Sequence, residues 1–88
     1  LRDHAPREIA SSYLARCTND FSIERRCGQG AFGEVFHAVD AEIEFAVKRL
    51  REAGPSLERE VDVLGRFRHP HIVQLYGFSR EPPCLVYE

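Results

Sequence analysis

Gly28, Gly30 and Gly33 recur within one short run, Gly28-Gln29-Gly30-Ala31-Phe32-Gly33-Glu34-Val35, and Ala46-Val47-Lys48 follows a little further on. Glycines at this spacing let a main chain approach a polyphosphate with no side chains in the way. A lysine downstream carries a positive charge that can reach the same phosphates. The chemistry on offer is therefore the holding of a phosphate chain, and its specificity depends on the elements that carry these residues.

Two architectures use such glycines. In the dinucleotide-binding arrangement the third glycine opens a helix, whose N-terminus faces the pyrophosphate. Here Gly33 leads into Glu34-Val35-Phe36-His37-Ala38-Val39-Asp40, rich in β-branched and aromatic residues and without helical periodicity, which predicts a strand. Upstream, Phe21-Ser22-Ile23-Glu24-Arg25 alternates apolar and polar residues and also predicts a strand. The glycines then occupy the tip of a β-hairpin. The dinucleotide reading, in which Glu52 stands near the distance of a ribose-binding acid, takes second place. Ile43 to Leu50 predicts a third strand with Ala46 and Lys48 on one face, toward the phosphates, and Ile43, Phe45 and Val47 on the other.

The remaining elements support this sheet. Ile9, Tyr13, Leu14 and Cys17 recur at helical spacing, Pro6 suits a first turn and Asn19-Asp20 can end the element, so a short amphipathic helix is expected at about 7–17. Ser56 to Arg68 predicts the main helix, with Pro55 at its start, a Leu57, Val61, Leu64 stripe, and Pro70 barring continuation. Strands are expected at Ile72 to Phe78 and Cys84 to Tyr87, joined by a turn carrying Pro82-Pro83. The sum is an α+β fold: a five-stranded antiparallel sheet with one main helix, plus a short N-terminal helix. Residues 1–20 form an N-terminal extension and 21–88 the domain.

With 88 residues there is room for one small domain. A net charge of -2 gives no electrostatic reason to expect nucleic acid or an anionic membrane as partner, and the scattered arginines, Arg25, Arg26, Arg49, Arg51, Arg66 and Arg68, read as solvated faces. No apolar run is long enough to span a bilayer. Met is absent, at position 1 as elsewhere, so the chain reads as an internal piece of a longer product. Three cysteines, Cys17, Cys27 and Cys84, are too few and too scattered for a disulfide framework, which points to reduced thiols and the cytoplasm. His69 and His71 with Cys84 lack the tight spacing of a metal site, so no metal ligands are expected.

Taken in order, the glycine hairpin, Ala46-Val47-Lys48, a helix bearing Glu60, His69-Pro70-His71-Ile72-Val73 and Leu85-Val86-Tyr87-Glu88 resemble the N-terminal lobe of the eukaryotic protein kinase domain over residues 21–88. Kinases cover phosphates with a flexible hairpin and place their lysine on the next strand. Thr18-Asn19-Asp20-Phe21-Ser22 and the closing Leu85 to Glu88 look most like plant receptor-like and Pelle-type kinases. The resemblance implies ATP binding by Cys27, Gly28, Gln29, Gly30, Ala31, Phe32 and Gly33 of the loop, with Phe32 at its tip. Val35 and Ala46 would sandwich the adenine, Lys48 would pair with the α- and β-phosphates, and Glu60 would hold Lys48 by an ion pair. Glu58 is the rival acid; Glu60 is preferred because Leu64, one turn on and neighbour to Leu75, then fits the family's helix position. Tyr87 would guard the back of the adenine pocket, and Glu88 would open the hinge.

The resemblance also has departures. The interval of twelve positions from Lys48 to Glu60 is shorter than is common in the family, Cys27 replaces the usual Leu or Ile, and His71 stands where Asn is frequent. The catalytic aspartate, its asparagine partner and the metal-binding Asp-Phe-Gly belong to the family's second lobe, so no catalytic residue is expected among these 88. The implied parent is a cytoplasmic signalling kinase, or the cytoplasmic portion of a receptor-like one. It would transfer the ATP γ-phosphoryl group to Ser/Thr or Tyr hydroxyls of a protein substrate bound through the missing lobe, which would also supply the Mg²⁺ ligands. The alternative is a truncated or pseudokinase-like binding module without catalysis.

Overall fold

The computed structural model of the chain describes residues 5–31, 33–51, 57, 59, 61 and 74–88. In chain order these form β1 (Arg7–Glu8), α1 (Ser11–Cys17), a single 3₁₀ turn (Ile23–Arg25), β2 (Arg26–Gln29), β3 (Gly33–Asp40), β4 (Ile43–Leu50), β5 (Leu75–Arg80) and β6 (Pro83–Tyr87). Leu57, Arg59 and Val61 are helical, on the segment where the main helix is expected. The predicted α+β fold class is the one observed. The sheet, however, has six strands in the order β1-β5-β6-β4-β3-β2. Five of them run antiparallel as expected, and β1 adds a parallel pair along β5.

That extra strand corrects the helix start. Arg7 and Glu8 pair with Gly77 and Phe78, and the Ile9 amide donates to the Phe78 carbonyl at 2.7 Å, so the helix begins at Ser11 instead of residue 7. The pairing needs a glycine at 77. A Cβ there would lie 2.5 Å from both the Arg7 carbonyl oxygen and Ile9 Cδ1. Ladder bonds along β5 outweigh the helical spacing of Ile9, which packs on the sheet from outside the helix.

The helix ends where Asn19-Asp20 predicts. Asn19, Asp20 and Phe21 take φ of 55°, 60° and 52° in succession, easy for Asn and Asp but costly for Phe. Thr18, wholly buried, secures the turn: its hydroxyl donates to the Leu14 carbonyl at 2.8 Å and accepts from the Phe21 amide at 2.9 Å. Phe21 in turn meets Phe36 edge-on at 5.2 Å. The strand expected at Phe21 to Arg25 is instead this turn and the 3₁₀ turn that follows, capped by Ser22 Oγ accepting from the Glu24 amide at 3.1 Å. Ile23 is left 71% exposed, so the alternation there does not mark a buried face. At the other end, β5 and β6 run from Leu75 and Pro83, close to the expected bounds; residues 72 and 73 lie outside the described residues.

The sheet has a core on each face. Leu14, Cys17, Ala38, Val47, Cys84 and Val86 form the outer one, with Ile9, Tyr13, Phe21 and Phe45 packed against it. Leu50, Leu57, Leu75 and Leu85 form the inner one, joined by Val61, Phe78 and Tyr87. Tyr13 fastens α1 to the sheet by donating to Asp40 Oδ2 at 2.6 Å, and this bond, with partial burial, pushes the phenol's ionisation above the ordinary tyrosine range. All three cysteines are free, and burial pushes the Cys84 thiol upward as well.

Candidate functional site

The glycine run forms the tip of the β2–β3 hairpin, and Gly33 opens a strand, which removes the dinucleotide arrangement. The tip is closed by the Gly30 amide donating to the Gly33 carbonyl at 2.9 Å. A bulge at Cys27 leaves that residue exposed, its thiol 3.6 Å from the Val35 carbonyl.

The glycines divide into two kinds. Gly33 has φ +153°, and a Cβ on it would sit 2.1 Å from the Arg49 carbonyl oxygen, so the fold itself demands glycine there. Gly28 and Gly30 are different. A Cβ on Gly28 would make ordinary contact with Val35 at 3.8 Å, and one on Gly30 would meet nothing within 4 Å. Neither has a positive φ. Their lack of side chains has no packing cause among the described residues.

Register places the other expected residues. Val35 stands opposite Lys48, which stands opposite Leu85 on its other side; Ala46 pairs with His37 and Tyr87. Directly opposed residues share a face, and Leu50, Leu85 and Tyr87 belong to the inner core. Val35, Ala46, Lys48 and Tyr87 therefore share the inner face, all half-buried, beside the hairpin that carries the glycines. Glu88 is exposed at the end of β6, its amide donating to the Gln74 carbonyl at 3.2 Å. Phe32, Glu58, Glu60 and Leu64 lie outside the described residues, as do His69 and His71. Gln29 and Ala31 are exposed on the hairpin. Among the described residues no cluster of His, Cys, Asp and Glu could hold a metal ion.

Three of the arginines read from sequence as solvated are engaged. Arg49 Nη2 and Arg26 Nη1 donate to the two carboxylate oxygens of Glu34 at 2.8 and 2.9 Å, while the Arg49 guanidinium lies 4.6 Å from the Phe21 ring centre and 5.1 Å from that of Phe36. The hydrogen bond from Arg49, then that from Arg26, holds the Glu34 carboxyl below its usual range. Arg51 reaches the hairpin tip: Nε and Nη2 donate to the Gly30 carbonyl at 3.2 and 3.0 Å, and Nε also to that of Ala31 at 3.2 Å. Since Gly33 pairs with Leu50, the next residue of β4 runs past the tip. Hairpin register was the signal that could have found it.

Residues 21–88 match the model of the protein tyrosine and serine/threonine kinase family. The chain belongs to that family. It is 42% identical over 84 residues to interleukin-1 receptor-associated kinase 1 of Bos taurus, covering 84% of this chain and 12% of that protein. It is 31% identical over 93 residues to the serine/threonine-protein kinase pelle of Drosophila melanogaster, covering 92% of this chain and 19% of that one. A putative L-type lectin-domain containing receptor kinase of Arabidopsis thaliana is 34% identical over 93 residues, covering 97% and 15%. These relatives agree with the expected Pelle-type and receptor-like placement. The chain thus spans less than a fifth of the length of the relatives it matches. Among the described residues no helix is long and apolar enough to cross a membrane.

Proposed function

We propose that this chain is the ATP-grasping lobe of a protein kinase whose whole protein transfers the ATP γ-phosphoryl group to hydroxyls of a protein substrate. The observation that carries the reading is the shared inner face of Val35, Ala46 and Lys48, beside a hairpin whose Gly28 and Gly30 are bare for no reason of packing among the described residues. Val35 and Ala46 offer the adenine an apolar surface. Amides of the hairpin tip and the Lys48 ammonium offer the phosphates hydrogen bonds and positive charge, and Glu60 is the acid that the family resemblance assigns to Lys48. Catalysis of this kind is positioning plus charge stabilisation. ATP supplies the transferable phosphoryl group. The base that takes the acceptor's proton and the Mg²⁺ ligands come from a second lobe, so the 88 residues alone are inactive.

The test is Lys48→Met in the complete protein. Removing one such electrostatic contact lowers turnover by about 10²–10³-fold, with the melting temperature unchanged; undiminished phosphoryl transfer would remove Lys48 from its role.

A further inference from the structure

We infer that Arg51 is a positioning residue for the phosphate-binding hairpin, acting as a tether that fixes the peptide between Gly30 and Ala31 before nucleotide arrives. The inference rests on the ATP-grasping reading and adds to it a residue that is neither a glycine of the loop nor the lysine. Arg51 follows the last residue of β4, and the pairing of Gly33 with Leu50 carries β4 alongside the hairpin to its tip. There the guanidinium grips one carbonyl with two nitrogens, Nε at 3.2 Å and Nη2 at 3.0 Å from the Gly30 oxygen, and shares Nε with the Ala31 oxygen at 3.2 Å.

A planar trans peptide points its C=O and its N–H in opposite directions. Holding the Gly30 carbonyl against Arg51 therefore turns the Ala31 amide away from the arginine. The Gly30 amide is already committed to the Gly33 carbonyl at 2.9 Å. Of these two tip amides, that of Ala31 is the donor without a partner among the described residues, and Arg51 sets its direction. Glycine at 30, with open space around its missing Cβ, leaves the tip floppy on its own, so an external tether has something to order. Arginine suits the task because its fork engages a carbonyl with two donors, whereas a lysine engages it with a point charge.

Hydrogen exchange of the peptide spanning Gly28 to Gly33, together with steady-state kinetics in varied ATP, tests this in the complete protein. Arg51→Ala is expected to speed exchange across the tip and to raise KM for ATP about three- to tenfold, as loss of modest hydrogen bonds does, with kcat and the melting temperature little changed. Arg51→Lys falls between the two. Exchange equal in wild type and Arg51→Ala overturns the tether. Faster exchange with an unchanged KM overturns its role toward the nucleotide. Full rescue by Arg51→Lys overturns the fork in favour of simple charge. If the wild type binds no ATP while the exchange difference persists, the proposed function falls and the tether stands.

Discussion

The two faces of the sheet are built from the same strands and are finished in opposite ways. The outer face is sealed by the chain's own N-terminal segment: Leu14 and Cys17 sink between β3, β4 and β6, Tyr13 is bonded to Asp40, and Arg49 is sandwiched among Phe21, Phe36 and Glu34. On the inner face a leucine core lies next to Val35, Ala46 and Lys48, half-buried beside a hairpin with two glycines that no described neighbour requires. One face is explained by its own contacts; the other is the face on which the proposed ATP site lies.

If the faces are independent, damage to each should register in a different measurement. Leu14→Ala removes a fully buried side chain from the outer core and is expected to cost about 3 kcal/mol in denaturant unfolding, while the affinity of the folded protein for ATP stays put; equal losses in both would show that the faces are coupled. The glycines sharpen the contrast. Gly33→Ala, which drives a methyl into the β4 backbone, should cost about 2 kcal/mol. Gly30→Ala should stay within about 0.5 kcal/mol in the same unfolding experiment yet weaken ATP binding, and a destabilised Gly30→Ala would mean that packing, not ligand, explains that position. The smallest effect concerns acid. Glu34 has a folded-state pKa lowered by Arg49 and Arg26, so its contribution is present above the ordinary carboxyl range and disappears as pH falls through the lowered value. Glu34→Gln should flatten the fall in melting temperature below about pH 4.5, leaving nucleotide affinity at neutral pH untouched.

Residue patterns made the glycine hairpin, β4 and the Ala46–Lys48 face legible, because period-2 alternation and cross-strand pairing are local consequences of residue type. Leu57 and Val61 also reach the inner core that their helical spacing implies. What escaped was decided by distant partners. Arg7 and Glu8 form a strand only because Gly77, remote in sequence, leaves room beside β5. Phe21 leaves the extended conformation because its ring is held by Phe36 and Arg49, which local alternation cannot register. Arg26, Arg49 and Arg51 look like interchangeable surface charges until the registers of β2 on β3 and of β3 on β4 give each a carboxylate or a carbonyl to meet.

The pairing of β1 along β5 has a consequence for the company this lobe keeps. A bare strand edge is a template for other chains, and natural sheets blunt it. Here two residues of the N-terminal extension occupy the β5 side, while at the opposite end β2 is four residues long and interrupted by a bulge. Both flanks are thereby poor seeds for intermolecular β-stacking, one covered by a borrowed strand and the other short and kinked.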